Sequence, residues 1–277
     1  MKELTLEELH SGALDILKDI DSFCRPRKIR YSLAFGSLLG AVRHKGFIPW
    51  DDDIDLVMPR EDYERFRAEY SSGKYEFIDR ETTPECLIAF GRVVDTKRTA
   101  LVGVQPWHTA GISSGVWVDI FPMDYVPDDH DDYMRLYRSM NRLLLFSRKV
   151  RRHTAPLNPA LPLGLKLKLL RRRIGHRSYR KLNPSEIIGD YMTTLSLATA
   201  AKTSHLGSLA CADTPEYYFD SAVFDEYVDL PFEDGLFPAP AQYDLVLRTL
   251  YGDRYMDLPP LRKQVTDLYR IARVYWL

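Results

Sequence analysis

One acidic run, Asp51-Asp52-Asp53-Ile54-Asp55, holds the residues best suited to chemistry in this sequence. Neighbouring carboxylates repel one another and resist ionising together, and a cation placed among them relieves that repulsion. The run therefore predicts a divalent-metal site with oxygen ligands, for which magnesium is the natural ion. An acidic turn in solvent is the alternative. The alternation of carboxylates with aliphatic residues and the Pro49-Trp50 pair that introduces the run favour the metal site.

The elements that would position these carboxylates begin with a strand predicted from Asp53 to Met58. Its two-residue period puts Asp53 and Asp55 on one face and the aliphatic side chains on the other. Upstream, we predict a strand over 29–35, a turn at Gly36-Ser37 and a helix over about 38–44. Backbone amides at the start of that helix would be free to meet an anion. The glycine could instead simply allow close packing, and no Gly-Lys-Ser/Thr follows to make a P-loop.

A further carboxylate, Asp119, lies inside the apolar strand predicted over 115–121, which Pro122 is expected to end. A lone buried charge is costly, so it needs a metal or a cationic partner. We favour the metal ligand over a structural ion pair. The Gly-Ser pair, the Asp-x-Asp and this third aspartate suit metal-assisted attack on a nucleotide phosphate. Two ions about 4 Å apart would clamp the reacting oxygens, and Asp119 would bind one of them or accept the hydroxyl proton.

The rest of the 277 residues suits one large domain or two small ones. Helical periodicity is found over 5–24, 60–70, 128–150 and 243–251, and a helix or helix–strand passage is predicted over 185–201. Strands are predicted over 75–79, 87–94, 217–219 and 223–230.

No acidic residue occurs between Asp132 and Glu186, although lysines and arginines recur there. The basic segment 148–181, with a helix predicted over 163–174, would rest on anionic lipid or on a polyanionic acceptor. A solvated basic surface is an equal alternative. The net charge of −1 creates no global field that would attract nucleic acid, so no nucleic-acid partner is expected.

The three cysteines, odd in number and without a CxxC pair, are typical of a reducing compartment. The N-terminus lacks a basic segment followed by an apolar run, and no stretch of about 18 apolar residues occurs. We therefore expect a soluble cytoplasmic protein, with peripheral contact at the inner face of the membrane through the basic segment as the further option.

The run from Gly36 to Asp55 resembles the signature of the LicD family, bacterial phosphocholine transferases related to the fukutin proteins. Three more stretches are similar to that family: Phe90 to Thr99, Trp117 to Asp124 and Tyr251 to Pro260. The middle of the chain, about 133–215, is not diagnostic. After Pro260 the chain departs from the family pattern, so no role is carried over there.

This resemblance implies an α/β (α+β) fold, with a nucleotidyltransferase-like mixed sheet flanked by helices. The expected division is a catalytic core over 1–130, a basic, mainly helical insertion over 131–215, and a C-terminal segment over 216–277 that packs back on the core. The implied reaction is magnesium-dependent transfer of phosphocholine from CDP-choline to a sugar hydroxyl, releasing CMP. The acceptor would be a cell-surface glycoconjugate of the teichoic acid or lipopolysaccharide type. Manganese is the alternative to the two magnesium ions.

Carried over residue by residue, the family signature implies a complete site. Asp51 is in phase with Asp53 and Asp55, whereas Asp52 would point away and support the site from behind. Arg92 stands where the family often has a lysine, which implies a phosphate contact. The implied metal ligands are Asp53, Asp55, Asp119 and Asp51, the first three also being catalytic, and the implied substrate-binding residues are Gly36, Ser37, Arg43, His44, Trp50 and Arg92.

The choline group would call for aromatic faces, for which Trp50, Trp107, Trp117 and Tyr125 are candidates, although each is more often a core residue. Other donors remain open: the enzyme could move a nucleoside monophosphate, or use CDP-ribitol or CDP-glycerol. A non-catalytic nucleotide- or glycan-binding protein is the alternative from another class. The cost of clustering carboxylates without a metal argues against it.

Overall fold

The computed structural model describes residues 2–103, 115–154, 177–210, 214–265 and 272–277, together with Leu163, Gly164, Leu167, Leu170 and Arg171. Its helices in these ranges are α1 (Leu6–Arg27), α2 (Phe35–Arg43), α3 (Arg60–Glu69), α4 (His130–Thr154), α5 (Pro184–Ala198) and α6 (Tyr243–Tyr251). Its strands are β1 (Ser32–Leu33), β2 (Asp55–Pro59), β3 (Glu76–Ile78), β4 (Gly91–Asp95), β5 (Thr99–Gly103), β6 (Val116–Val126), β7 (His205–Gly207), β8 (Tyr218–Asp220), β9 (Tyr227–Phe232), β10 (Gly235–Pro240) and β11 (Ala272–Trp276). The predicted α/β (α+β) fold class is confirmed.

A mixed sheet with strand order β1-β2-β6-β4-β3 forms the centre of the fold, and β7 and β8 continue it from the far end of β6. The pair β2 and β6 is parallel, whereas the other pairs of this sheet are antiparallel. Helix α1 packs on one face, where Gly12 lies against the side chain of Val116. Because side chains alternate along a strand, Asp119 points to the opposite face.

Helix α1 forms where the periodicity predicted it. The Glu8 amide donates to Thr5 Oγ1 at 3.2 Å and the Thr5 amide donates to Glu8 Oε2 at 2.9 Å, which makes a capping box. The buried positions follow helical spacing: Leu9, Ala13, Ile16, Leu17, Ile20, Phe23 and Cys24. The helix ends at Arg27 and is followed by the cap residue Lys28, whose φ of 54° is left-handed.

Strand β6 corrects the expectation that Pro122 would end it, since the strand runs on to Val126. The Asp119 amide donates to Ile54 O on the β2 side, so the amide position of Pro122 faces the other side. On that side Pro122 lies beyond β4, because the first residue of β4, Gly91, is paired with Ile120. A proline at that position therefore costs no ladder hydrogen bond.

The middle and C-terminal helices also follow the predicted positions, whereas the strand predicted over 223–230 forms only from Tyr227. Helix α4 packs against α5, and both overlap their predicted ranges. Helix α6 has the predicted bounds and contacts α2, while the hairpin β9–β10 lies against α2 and β1. Most of the helix predicted over 163–174 lies outside the described residues, and the division at residues 130 and 215 remains a prediction. Every helix in the described ranges is too short or too polar to cross a bilayer.

Candidate active site

Strand register places three charged side chains in one row across the sheet. Asp55 of β2 is paired with Asp119 of β6, and Asp119 is paired with Arg92 of β4. Paired residues on adjacent strands point to the same face, which here is the face opposite α1. Asp53 joins this row from the loop before β2. Carboxylate oxygens of Asp53, Asp55 and Asp119 lie within 4.8 Å of one another.

The acidic loop forms a second group, in which oxygens of Asp51, Asp52 and Asp53 also lie within 4.8 Å of one another. Strand β2 begins only at Asp55, so the strict alternation that was expected to point Asp52 away does not extend to this loop. The strand alternation on which the prediction for Asp52 rested is therefore absent, and its supporting role stays a prediction. Asp53 belongs to both groups, which makes it the common member of two overlapping sets of oxygen ligands.

Charge repulsion and desolvation act together on these carboxylates. The Asp53 residue is partly exposed to solvent, yet protein atoms surround its carboxylate closely. Burial raises its pKa well above the ordinary value, and the negative charges of Asp51 and Asp119 raise it further, while Arg92 opposes them. The carboxylates of this group outnumber the one guanidinium beside them, and their oxygen donors are the kind that magnesium prefers.

The metal should compete with protons for Asp51. Burial, assisted by Asp52, raises the pKa of Asp51 from 3.8 to about 6. Between pH 3.8 and about pH 6, folded metal-free protein therefore binds a proton at Asp51 that the unfolded chain has released. This proton stabilises the fold, and the stabilisation is lost as pH rises through about 6. We expect magnesium to raise the unfolding temperature more at about pH 7.5 than at about pH 5, as measured by thermal melts. Asp51→Asn should flatten this dependence, and equal magnesium effects at both pH values would contradict it.

Arg92 holds Asp119 through two hydrogen bonds. Its Nε donates to Asp119 Oδ1 at 2.5 Å, and its Nη2 donates to Oδ2 at 2.9 Å. The guanidinium also lies 4.8 Å from the centre of the Trp117 ring. Asp119 thus has the ion-pair partner that the sequence left as one alternative, while it also lies within the carboxylate group. The guanidinium therefore fixes the orientation of this carboxylate, and its predicted phosphate contact stays a prediction.

Helix α2 is tied to the start of β2. The Asp55 amide donates to Ser37 Oγ at 2.9 Å, and the Ala34 amide donates to Asp55 O at 2.9 Å. The predicted turn at Gly36-Ser37 is wrong, because the helix begins at Phe35, whose φ is 44°, and both residues lie in its first turn. No side chain of the described residues caps this helix, and Gly36 in its first turn lies against the Asp51 carboxylate.

Gly36 makes room for Asp51. A Cβ built at Gly36 would overlap Asp51 Oδ2, so Gly36→Ala must displace that carboxylate. We expect the variant to weaken magnesium binding by about 10- to 100-fold, measured by calorimetry. Gly73→Ala is the matched control, because a Cβ there meets nothing within 4 Å. Unchanged magnesium affinity in a folded Gly36→Ala protein would show that Asp51 is not a ligand.

A cleft of about 620 Å³ opens beside the carboxylates. The wall on the side of the acidic loop includes Gly36, Trp50, Asp51 and Asp55, and the facing wall comes from the C-terminal part of the chain: Tyr251, Arg254, Tyr255, Asp257, Pro259 and Lys263. Sequence reasoning assigned no role to that second wall. The similarity of the Tyr251 to Pro260 stretch to the family was the available signal.

Arg43 and His44 contribute to the architecture of this cleft. Arg43 Nη1 donates to the carbonyls of Tyr255 at 3.0 Å and Asp257 at 3.2 Å, which anchors the C-terminal wall on α2. His44 lies edge-on to Trp50 with 6.2 Å between ring centres. Burial, followed by the charge of Arg43, lowers the pKa of His44. Arg43 also lines the cleft, so its position is compatible with the predicted substrate contact.

Of the aromatic residues considered for choline, Trp50 lies at the cleft. Trp117 is buried and its ring faces Arg92. Tyr125 is six residues beyond Asp119 on β6, about 20 Å along the strand. Trp107 lies outside the described residues. Of the three described aromatic residues, only Trp50 therefore lines the cleft.

A second cavity, of about 630 Å³, lies between α3 and α5. Its charged side chains are bonded to one another: Arg60 donates to Asp124 at 2.7 and 2.9 Å, and also contacts Glu64. We place the candidate active site at the first cleft, because the convergent carboxylates are there.

Comparison with known proteins agrees with this geometry. The family model for the LicD/FKTN/FKRP nucleotidyltransferase domain matches residues 28–142. Lipopolysaccharide cholinephosphotransferase LicD of Haemophilus influenzae is 31% identical over 271 residues, which cover 95% of this chain and 96% of the relative. The chain belongs to the LicD family. Short matches are found to an uncharacterized protein of Rickettsia typhi (42% over 52 residues, 19% of this chain and 17% of that one) and to one of Rickettsia prowazekii (45% over 47 residues, 17% and 18%).

The LicD domain match spans the elements that build the carboxylate row, since α2, β2, β4 and β6 all lie within residues 28–142. The C-terminal wall of the cleft lies beyond that match. The alignment with the LicD relative covers 95% of the chain, so it is not confined to the carboxylate half.

Proposed function

We propose that this protein is a transferase that moves phosphocholine from CDP-choline to a sugar hydroxyl of a cell-surface glycoconjugate, releasing CMP. The observation that carries the proposal is the convergence of Asp53, Asp55 and Asp119 beside an open cleft. The LicD relative supports the choice of phosphocholine and of a lipopolysaccharide-type acceptor, because it is named a lipopolysaccharide cholinephosphotransferase. A teichoic acid is the other acceptor of this kind, and we place the reaction in the cytoplasm.

Two magnesium ions fit the donor set, with manganese as the substitute. Asp53 is shared by the Asp51-Asp52-Asp53 group and by the group with Asp55 and Asp119, so it would help to hold metal in either group. Bound metal supplies charge stabilisation for the phosphate oxygens and lowers the pKa of a coordinated hydroxyl. The raised pKa of Asp53 supports this assignment, since a nearby cation would remove the repulsion among the carboxylates.

The protein's own residues would orient the reacting groups. The first amides of α2 and the Ser37 hydroxyl would donate hydrogen bonds to phosphate oxygens. The sugar oxygen would form a bond to the phosphorus of phosphocholine as the bond from that phosphorus to the CMP oxygen breaks. The hydroxyl proton would pass to Asp119, whose carboxylate Arg92 holds in one orientation. The pair of electrons from the broken bond would leave on CMP.

Trp50 is the residue we assign to the choline group. A quaternary ammonium over an indole face contributes roughly 1 to 2 kcal/mol, so Trp50→Ala should weaken CDP-choline binding about 10-fold. Affinity for CMP, which has no ammonium, should stay within about 2-fold of wild type. Calorimetry with both ligands measures the difference. Equal losses for CDP-choline and CMP would mean that Trp50 supports the cleft without contacting choline.

A donor screen tests the proposed function. Purified protein, magnesium and a glycan acceptor would be incubated in turn with CDP-choline, CDP-ribitol and CDP-glycerol, and CMP release would be measured. We expect CDP-choline to react fastest, and the mass of the modified acceptor to increase by one phosphocholine. Faster reaction with another CDP-alcohol would show that CDP-choline is not the donor. An acceptor that gains a nucleoside monophosphate would show that the protein is a nucleotidyltransferase. Nucleotide binding without turnover or magnesium dependence would favour a non-catalytic binding protein.

A further inference from the structure

The positive charge of this protein is concentrated in one region. Fifteen of its 38 lysines and arginines lie between residues 133 and 185, a stretch that contains no Asp or Glu. The remainder of the chain carries a formal charge of −16, although the whole carries only −1. Such separation makes a local basic surface that the net charge conceals.

Helix α4 displays part of this charge on its exposed side. Its buried side packs against α5 and the core through Tyr133, Tyr137, Met140 and Leu144. The exposed side carries, at alternating spacings of four and three residues, Arg138, Arg142, Leu145, Lys149 and Arg152. Residues spaced in this way form one stripe along a helix. We call these five residues the α4 stripe.

Apolar side chains are exposed in the same basic region. Leu145, within the α4 stripe, is 48% exposed, and the adjacent Phe146 is 36% exposed. Leu163, Leu167 and Leu170, the described leucines of the helix predicted over 163–174, are 72%, 52% and 40% exposed. Their spacing of four and then three residues would put them on one side of such a helix. Exposed leucines among lysines and arginines are costly in water, and they are the pattern of helices that lie in a membrane interface.

We propose that the α4 stripe, Phe146 and the three leucines Leu163, Leu167 and Leu170 form a docking surface for an anionic lipid bilayer. Lipid phosphates would pair with the cations of the stripe, and the leucines and Phe146 would enter the boundary between headgroups and acyl chains. Nucleic acid would match the charge but would leave the aliphatic side chains in water. The surface would act in this way whichever nucleotide the carboxylate cleft uses.

Vesicle binding tests this surface. The full chain would be mixed with vesicles of phosphatidylcholine alone, or with one third phosphatidylglycerol, and bound protein separated by sedimentation. We expect binding to the anionic vesicles only. Arg138→Gln with Arg142→Gln and Lys149→Gln should reduce the partition coefficient by about 100-fold, at roughly one factor of five per cation.

The matched control removes three exposed lysines elsewhere, through Lys28→Gln, Lys74→Gln and Lys202→Gln. It changes net charge equally and should reduce binding less than about 3-fold. A separate serine variant, with Leu163→Ser, Leu167→Ser and Leu170→Ser, should lose the part of binding that survives high salt. Circular dichroism confirms that each variant is folded.

Three results would overturn the lipid surface. One is equal binding to neutral and anionic vesicles, and another is an equal loss in the control variant. The third is a mass in solution that falls from dimer to monomer in the serine variant, which would make the leucines an interface between copies of the chain. Light scattering of the wild type and the serine variant measures that mass.

Discussion

Asp53→Asn should make the metal-free protein more stable while it removes the transferase reaction. The native fold raises the pKa of Asp53 through burial and through the charges of Asp51 and Asp119, so the ionised carboxylate opposes folding at neutral pH. A neutral amide of the same shape removes that repulsion. It also removes the ligand common to both carboxylate groups, so we expect CMP release to fall on the order of 1000-fold.

Thermal melts in chelator and in magnesium measure the two effects separately. The unfolding temperature of wild type should rise on addition of magnesium. Asp53→Asn should have a higher unfolding temperature than wild type in chelator, and magnesium should raise it little. Asp190→Asn makes the same chemical change on the exposed side of α5. It should leave both the unfolding temperature in chelator and the rise caused by magnesium at their wild-type values. A destabilised Asp53→Asn protein that keeps the full magnesium response would show that Asp53 has a structural role only.

Arg92→Met should destabilise the protein by about 3 to 5 kcal/mol, because it leaves Asp119 as a buried charge among other carboxylates. Side chains of both partners are largely buried, with 14% of Arg92 and 8% of Asp119 exposed, so solvent does not screen this pair strongly. Urea unfolding measures the loss. Arg92→Lys retains the positive charge but cannot form both hydrogen bonds to Asp119. Its free energy of unfolding should therefore lie between those of wild type and Arg92→Met.

The double variant, with Arg92→Met and Asp119→Asn, distinguishes pairing from packing. Removing both charges should recover most of the lost stability, but it should not recover CMP release, because the carboxylate is gone. An Arg92→Met protein within about 1 kcal/mol of wild type would contradict the pairing.

Local elements were predictable because their signals are local. The capping residues Thr5 and Glu8 and a helical apolar period define α1, and α6 begins and ends at the predicted Tyr243 and Tyr251. The conformation of the acidic loop was harder to predict from the sequence. A two-residue period describes a strand once it has begun, but it does not show that β2 begins at Asp55 and leaves the three preceding aspartates in an irregular loop.

The row of charges depends on pairings that no local pattern reports. Asp55 and Asp119 are adjacent because β2 and β6 are parallel in that register, although the residues are more than sixty positions apart. The sequence offered a metal ligand and an ion pair as alternatives for Asp119. They are compatible, because β4 brings Arg92 to one side of this carboxylate and β2 brings Asp55 to the other.

The C-terminal wall of the cleft also depends on contacts between residues that are far apart in the sequence. Arg43 donates to the carbonyls of Tyr255 and Asp257, more than two hundred residues later, and these contacts hold the wall in place. Backbone acceptors carry no sequence signal, so the partner of Arg43 could not be inferred from residue types. Its predicted role was accordingly a substrate contact alone.

The most direct test of the proposed reaction is CMP release from CDP-choline by wild type and by Asp119→Asn, each in magnesium and in chelator. We expect rapid release by wild type only in magnesium, and loss on the order of 1000-fold in Asp119→Asn, with Asp190→Asn as active as wild type. Release that persists in chelator, or an Asp119→Asn protein that matches wild type in magnesium, would contradict the assignment of these carboxylates as the metal-binding centre of the reaction.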